Sequence, residues 1–265
     1  MPLVFAGITP HAPILLPSIG KEKAEDSLEK TLDGLEQLAR DLYIAKPDII
    51  IMISPHQGVF EDTFSINAAS KYTATYEQFG DLSTTHHWHG APMFVEALST
   101  NCHKAKLPTR FIANETLDHG SSVPLFFMTE HMKDTRIVPI GFSQLSTKAH
   151  LQFGQFLQSF IQERPERIAV IASGDLSHCL TKNSPAPHDK EGAFFDKRLM
   201  QMLETKNTVG VLTMDEKMIE AAQECGYRSI LILLGILSEI NYQFKRYSYE
   251  YPFGVGYLVG NCELP

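Results

Sequence analysis

Cysteine is scarce in this chain: four residues in 265, at Cys102, Cys179, Cys225 and Cys262, with no Cys-x-x-Cys pair among them. That spacing argues against a zinc-finger framework or a disulfide-stapled scaffold and fits a reducing compartment. Positive charge is also thin. The 31 acidic residues outnumber the 23 basic ones for a net charge of -8, and no basic run is longer than a pair, which argues against nucleic acid and anionic membrane as partners. The longest strongly apolar stretch, Ile230 to Leu237, is broken by Gly235 and falls far short of the roughly 20 residues a membrane span needs. The amino terminus has no basic segment ahead of its apolar residues, so the expected location is cytoplasmic. Neither an internal repeat nor a low-complexity segment is present. Gly254-Val255-Gly256 precedes strand-like sequence, which removes the dinucleotide-binding reading, and a Gly-x-Ser-x-Gly elbow is missing.

What remains is a chain that is 43% hydrophobic, enough to bury one large core, so residues 1–265 are expected to form a single domain. Leu28, Leu32, Leu35, Leu38 and Leu42 recur at helical spacing. Continuous apolar runs at 49–53, 137–140 and 168–172 read as strands, separated by helix-compatible segments at 91–103, 123–132, 148–162 and 191–204. Buried strands alternating with helices predict an α/β fold, a sheet covered on both faces. The aromatic and β-branched segments 242–249 and 256–259 predict an antiparallel pair at one sheet edge, making the sheet mixed. Polar stretches at 78–90 and 180–189 are expected to be loops forming lids or rims.

Histidine placement carries the chemistry. The run from Val4 to Ile8 ends in Thr9-Pro10-His11, and the run from Ile49 to Ile53 ends in Ser54-Pro55-His56. Proline stops a strand, so each motif delivers an imidazole to the sheet edge where open α/β sheets place their ligands. Leu117-Asp118-His119-Gly120 and Ser173-Gly174-Asp175-Leu176-Ser177-His178 add two more. Two imidazoles and a carboxylate leave open positions on iron(II) for substrate and oxygen. The candidate carboxylate is Glu224, at the junction between a helix opened by Asp215 and expected to stop at Gly226 and a very apolar helix that follows. The His86-His87-Trp88-His89 cluster is expected to be a loop, because the segment shows no periodicity. Ser173, Asp175 and His178 lie too close in sequence for a nucleophile, base and orienter relay.

In order, Pro-His-Ala-Pro (10–13), Ser-Pro-His (54–56), Leu-Asp-His-Gly with Val-Pro-Leu (117–125), Val-Pro-Ile (138–140) and Ser-Gly-Asp-Leu-Ser-His (173–178) resemble the class III extradiol ring-cleaving dioxygenases of LigB type, with the Memo proteins as a sister branch. The resemblance spans nearly the whole chain. It implies that His11 and His56 bind Fe(II), that His178 is the catalytic base with Asp175 orienting the site, and that His119 contacts oxygen or substrate. The third ligand is implied at 224–226. Counting back from Gly235 places it on Cys225, the Memo pattern, whereas the dioxygenases carry glutamate there and Glu224 stands next to it. The implied partners are a small aromatic diol and O2, with a homo-oligomer possible. Three readings stand: an Fe(II)-dependent extradiol dioxygenase, a Memo-like metal-binding protein without ring cleavage, and, if the same ligands hold zinc or another divalent metal, a hydrolase.

Overall fold

The structure, a computed structural model, describes residues 2–265, excepting the side chains of residues 22–25. The elements run β1 (Leu3–Thr9), α1 (Pro17–Ser27), α2 (Glu29–Ala45), β2 (Ile49–Ser54), β3 (Phe64–Asn67), β4 (Lys71–Tyr76), β5 (Asp81–Gly90), α3 (Pro92–Lys104), β6 (Thr109–Ile112), α4 (His119–Thr129), β7 (Arg136–Gly141), α5 (Thr147–Gln162), β8 (Ile168–Ser173), α6 (Lys190–Glu204), α7 (Thr208–Leu212), α8 (Glu216–Ala222), α9 (Tyr227–Ile236), β9 (Gln243–Glu250) and β10 (Tyr257–Glu263). The ten strands among the described residues join one mixed sheet in the order β4-β5-β7-β2-β8-β1-β10-β9, with β3 pairing β7 and β6. The β7-β2-β8-β1 centre is parallel, and β10 and β9 close one edge antiparallel, as the aromatic pattern predicted.

Side chains of a strand alternate between faces, and the central strands are apolar on both. Ile49, Ile51 and Ile53 of β2 and Ile168, Val170 and Ala172 of β8 enter a core with Phe153 and Leu157 of α5, Leu199 of α6 and Ile230 and Leu234 of α9. Ile50, Met52, Ala169 and Ile171 enter the other core, with Leu35, Leu38 and Leu42 of α2 and Val123 of α4. The fold is α/β with helices on both faces. Pro139, which has no N–H to donate, falls on β7 between the residues that pair with β5 (136–137) and those that pair with β3 (140–141). No helix among the described residues is long and apolar enough to cross a membrane.

Three expectations are corrected. Residues 81–90 of the supposed loop 78–90 are strand β5, paired with β4 through Lys71 and His89, Tyr72 and Trp88, Thr73 and His87, and Ala74 and His86. Its polarity comes from one solvent-facing side: His87 and His89 are exposed, while His86 and Trp88 turn inward at half burial. Helix α8 stops at Ala222, where Gln223 adopts a left-handed φ of 53°, and Gly226 instead opens α9 as its N-cap. Helix α4 begins at His119, four residues ahead of its apolar pattern, because the Asp118 side chain accepts a hydrogen bond from the Ser121 N–H and caps it. Residues 180–189 remain without helix or strand.

Candidate metal centre

The parallel strands point their carboxyl ends at one rim, and the chain delivers its histidines there. His11 follows β1, His56 follows β2, and His119 is the first residue of α4. Their rings meet: His11 and His56 centroids lie 5.0 Å apart, His56 and His119 4.3 Å, and His11 and His119 5.5 Å. His11 is buried and His56 is exposed to solvent, so the group has a closed side and an open one. One potential ligand atom from each of His11, His56 and Cys225 falls within 4.8 Å of the other two, and Cys225 Sγ is 3.5 Å from His11 Nε2.

Two glycines bring the thiol there. A Cβ on Gly174 would stand 2.0 Å from the Gly226 Cα, so only glycine at that point lets the α8–α9 junction rest on the end of β8. The contact is sealed by Cys225 and Gly226 N–H groups donating to the Asp175 carbonyl and by the Asp175 N–H donating to Cys225 Sγ at 3.3 Å. Glu224 takes another direction. Its Oε2 accepts the Tyr227 N–H at 2.6 Å, capping α9. Burial pushes its carboxyl up to about 7.

Around the three donors the hydrogen bonds are specific. Ser173 Oγ donates to the Gly120 carbonyl, so toward His11 Nδ1, 2.9 Å away, it must accept. His11 therefore carries its proton on Nδ1 and turns the Nε2 lone pair toward Cys225. Asp175 Oδ1 accepts the His11 backbone N–H at 2.9 Å, and its Oδ2 lies 3.9 Å from His11 Nε2. Burial pushes Asp175 up to about 6. On the other side, Ser54 Oγ accepts the His56 N–H and donates to Asp118 Oδ1 at 2.7 Å. Gly120 is required here too, since a Cβ would sit 2.6 Å from Ser54 Oγ and 2.9 Å from His56 Cδ2.

His178 is held by its backbone, donating to the Ala222 carbonyl and accepting from the Ala186 N–H, while its buried Nδ1 has no hydrogen-bond partner among the described residues. It lies close enough to His11 and Asp175 to influence both electrostatically. Phe79 packs edge-on to His119, and a groove of about 440 Å³ opens beside His56 past Gln57, Thr75 and Asn114. His86, His87 and His89 lie on β5 and contribute nothing to the three-donor group.

The electrostatics suit a cation. Burial, then His56 and His119, lower the His11 pKa, and burial, then His56, pushes His119 down to about 4, so both imidazoles offer lone pairs. Burial, then the Asp175 and Glu224 carboxylates, push the Cys225 thiol up. A divalent ion at this point reverses that balance, since metal binding releases the thiol proton. Two imidazole nitrogens and one thiolate, from His11, His56 and Cys225, fit a divalent transition metal and select against magnesium or calcium. Sequence reasoning missed Ser54, Ser173 and Asp118 as orienting groups and the glycines that permit the approach; the one available signal was a serine closing each of β2 and β8.

Residues 6–260 match the family described as the catalytic LigB subunit of aromatic ring-opening dioxygenase. The chain belongs to the LigB family. It is 30% identical to Protein CA_C1420 of Clostridium acetobutylicum over 265 residues, covering 97% of this chain and 56% of that protein, so it spans about half the length of that curated relative. Among solved structures, an uncharacterized protein, JW3007, from Escherichia coli K12 shares the fold at a TM-score of 0.64 and 18% identity, over 97% of this chain and 99% of that one.

Proposed function

We propose that this chain is a transition-metal protein of the Memo-like kind, in which His11, His56 and Cys225 hold the ion and present it to a small aromatic diol entering past His56. The observation that carries this reading is the placement of Cys225 Sγ 3.5 Å from His11 Nε2 while Glu224 is engaged with the Tyr227 N–H. A thiolate in place of a carboxylate shifts preference toward softer metals, so zinc competes with Fe(II). A bound ion supplies Lewis acidity to the ligand's oxygens. The protein supplies the rest: His11 fixed in one tautomer by Ser173, a solvent-facing His56, and neutral His119 beside both. Metal content decides the ligand set. Alanine at His11 or His56 and serine at Cys225 are each expected to remove most of the metal from protein purified without oxygen, whereas Glu224→Ala and His87→Ala keep it. Loss of metal in Glu224→Ala with retention in Cys225→Ser would overturn the assignment.

A second reading, an Fe(II)-dependent extradiol dioxygenase, is favoured by His178. A buried imidazole nitrogen without a partner suits a group that takes the phenolic proton of a catechol as the diol binds. His119 then faces the bound substrate, and O2 is the second substrate. Fe(II)-loaded protein given a panel of catechols is expected, on this reading, to consume oxygen and form a coloured ring-opened product. His178→Ala is expected to keep the iron and the diol yet slow turnover by roughly a hundred- to ten-thousand-fold. Absence of oxygen uptake across the panel with iron bound removes this reading and leaves the first.

A further inference from the structure

His178 lies in an irregular segment, and something must hold it. Leu176 N–H donates to the Gly256 carbonyl, Gly256 N–H to the Ser177 carbonyl, and His178 N–H to the Ala222 carbonyl. The remaining donor, the Ser177 N–H, is taken by a side chain: Asp196 Oδ1 of α6 accepts it at 2.9 Å. Asp196 is 1% exposed, and its Oδ2 accepts the Tyr249 hydroxyl of β9 at 2.6 Å. Gly256 packs on the same oxygen, where a Cβ would stand 2.3 Å away. A carboxyl buried this deeply carries a large desolvation cost, and nothing in the metal group uses it.

We propose that Asp196 is a positioning residue for His178, its carboxyl clamped between the Tyr249 hydroxyl and the Ser177 peptide so that the next residue's imidazole is presented to the metal-bound ligand. This rests on the reading that His178 faces a diol at the centre. The groups facing Asp196 are the Tyr249 hydroxyl from β9, the Ser177 N–H, and, through its charge, Glu224 at the α8–α9 junction; Arg246 of β9 acts on Tyr249 in turn. Burial pushes Asp196 up to about 7, against the opposing pull of its two hydrogen bonds. The peptide clamp therefore gains charge as pH rises through neutrality, since an ionised carboxylate accepts the Ser177 N–H more strongly than a protonated one.

The test uses the zinc-loaded protein and follows the Ser177 backbone amide proton by NMR, with His178→Ala as the control for the imidazole, alongside zinc content and calorimetric binding of catechol. The wild-type signal is expected to show a pH-dependent step near neutrality that Asp196→Asn abolishes and Tyr249→Phe moves to higher pH, because a lost donor disfavours the ionised carboxyl. Asp196→Ala is expected to weaken catechol binding about tenfold, with Asn restoring most of it and zinc content unchanged throughout. If Asp196→Ala does not fold, the Asn and Phe variants carry the test. A Ser177 amide signal with the same pH course in the wild type, Asp196→Asn and Tyr249→Phe overturns the proposal. Failure of catechol to bind the wild type overturns the diol reading instead, and the Ser177 amide still decides whether Asp196 clamps the peptide that precedes His178.

Discussion

Ser173 Oγ donates a hydrogen bond to the Gly120 carbonyl, and that one bond decides which nitrogen of His11 faces the centre. In the sequence Ser173 invites a nucleophile's role; in the structure its hydroxyl is fully committed between a carbonyl and an imidazole. On the proposed ligand set, Ser173→Ala is expected to lower metal affinity by about 10- to 100-fold, the usual cost of losing a group that orients a ligating histidine. Competition with a chromophoric chelator measures it, and unchanged affinity would show that His11 keeps its tautomer without the serine. The gathering of the histidines at one rim was legible, because proline stops a strand and the same motif recurs after β1 and β2. The choice between Glu224 and Cys225 was not, since adjacent residues in a turn diverge and only the direction of each side chain separates them.

At the scale of elements, the α8–α9 junction depends on two backbones touching at Gly174 and Gly226. A methyl group at Gly174 meets backbone atoms that no rotamer change can clear. Gly174→Ala is expected to destabilise the fold by about 1–3 kcal/mol, as overpacking does, and to cost metal by displacing Cys225. A thermal melt and a metal assay on the same sample check both; a normal melting temperature with full occupancy would mean the junction gives way freely. Strand β5 shows where pattern reading stops. Strands of the sheet interior announce themselves as apolar runs, but an outer strand with a wet face, such as β5 with only Leu82 and Trp88 among polar residues and glycine, gives no such run, and its identity comes from its pairing with β4.

Over the whole molecule, burial of ionisable groups ties stability to pH. His150, in the first turn of α5, is fully buried, its Nδ1 donating to the Ser146 carbonyl, and burial pushes it down to about 4 from 6.5. The folded state thus binds fewer protons than the unfolded chain between those values, so stability is complete above pH 6.5 and is lost as pH falls toward 4. The contribution at stake is about 3 kcal/mol, at 1.36 kcal/mol per pKa unit. Denaturant unfolding of the wild type and His150→Gln at several pH values should show a shallower dependence in the variant over that window. Parallel slopes would mean that His150 is already protonated in the native state or that it opens locally.

Composition and periodicity by themselves determined the α/β class, the two-faced burial of the central strands and the histidines at their ends, because apolar periodicity reports burial directly and proline reports where a strand must stop. Only the tertiary structure decided that Cys225 joins His11 and His56, that Glu224 turns away to cap a helix, and that Ser173, Asp118 and Asp196 orient their neighbours. Those outcomes depend on contacts between residues up to 214 positions apart, such as His11 with Cys225. A local pattern carries no record of them, since such contacts are set by the register of β1 against β8 and by a pair of glycines that let two backbones meet.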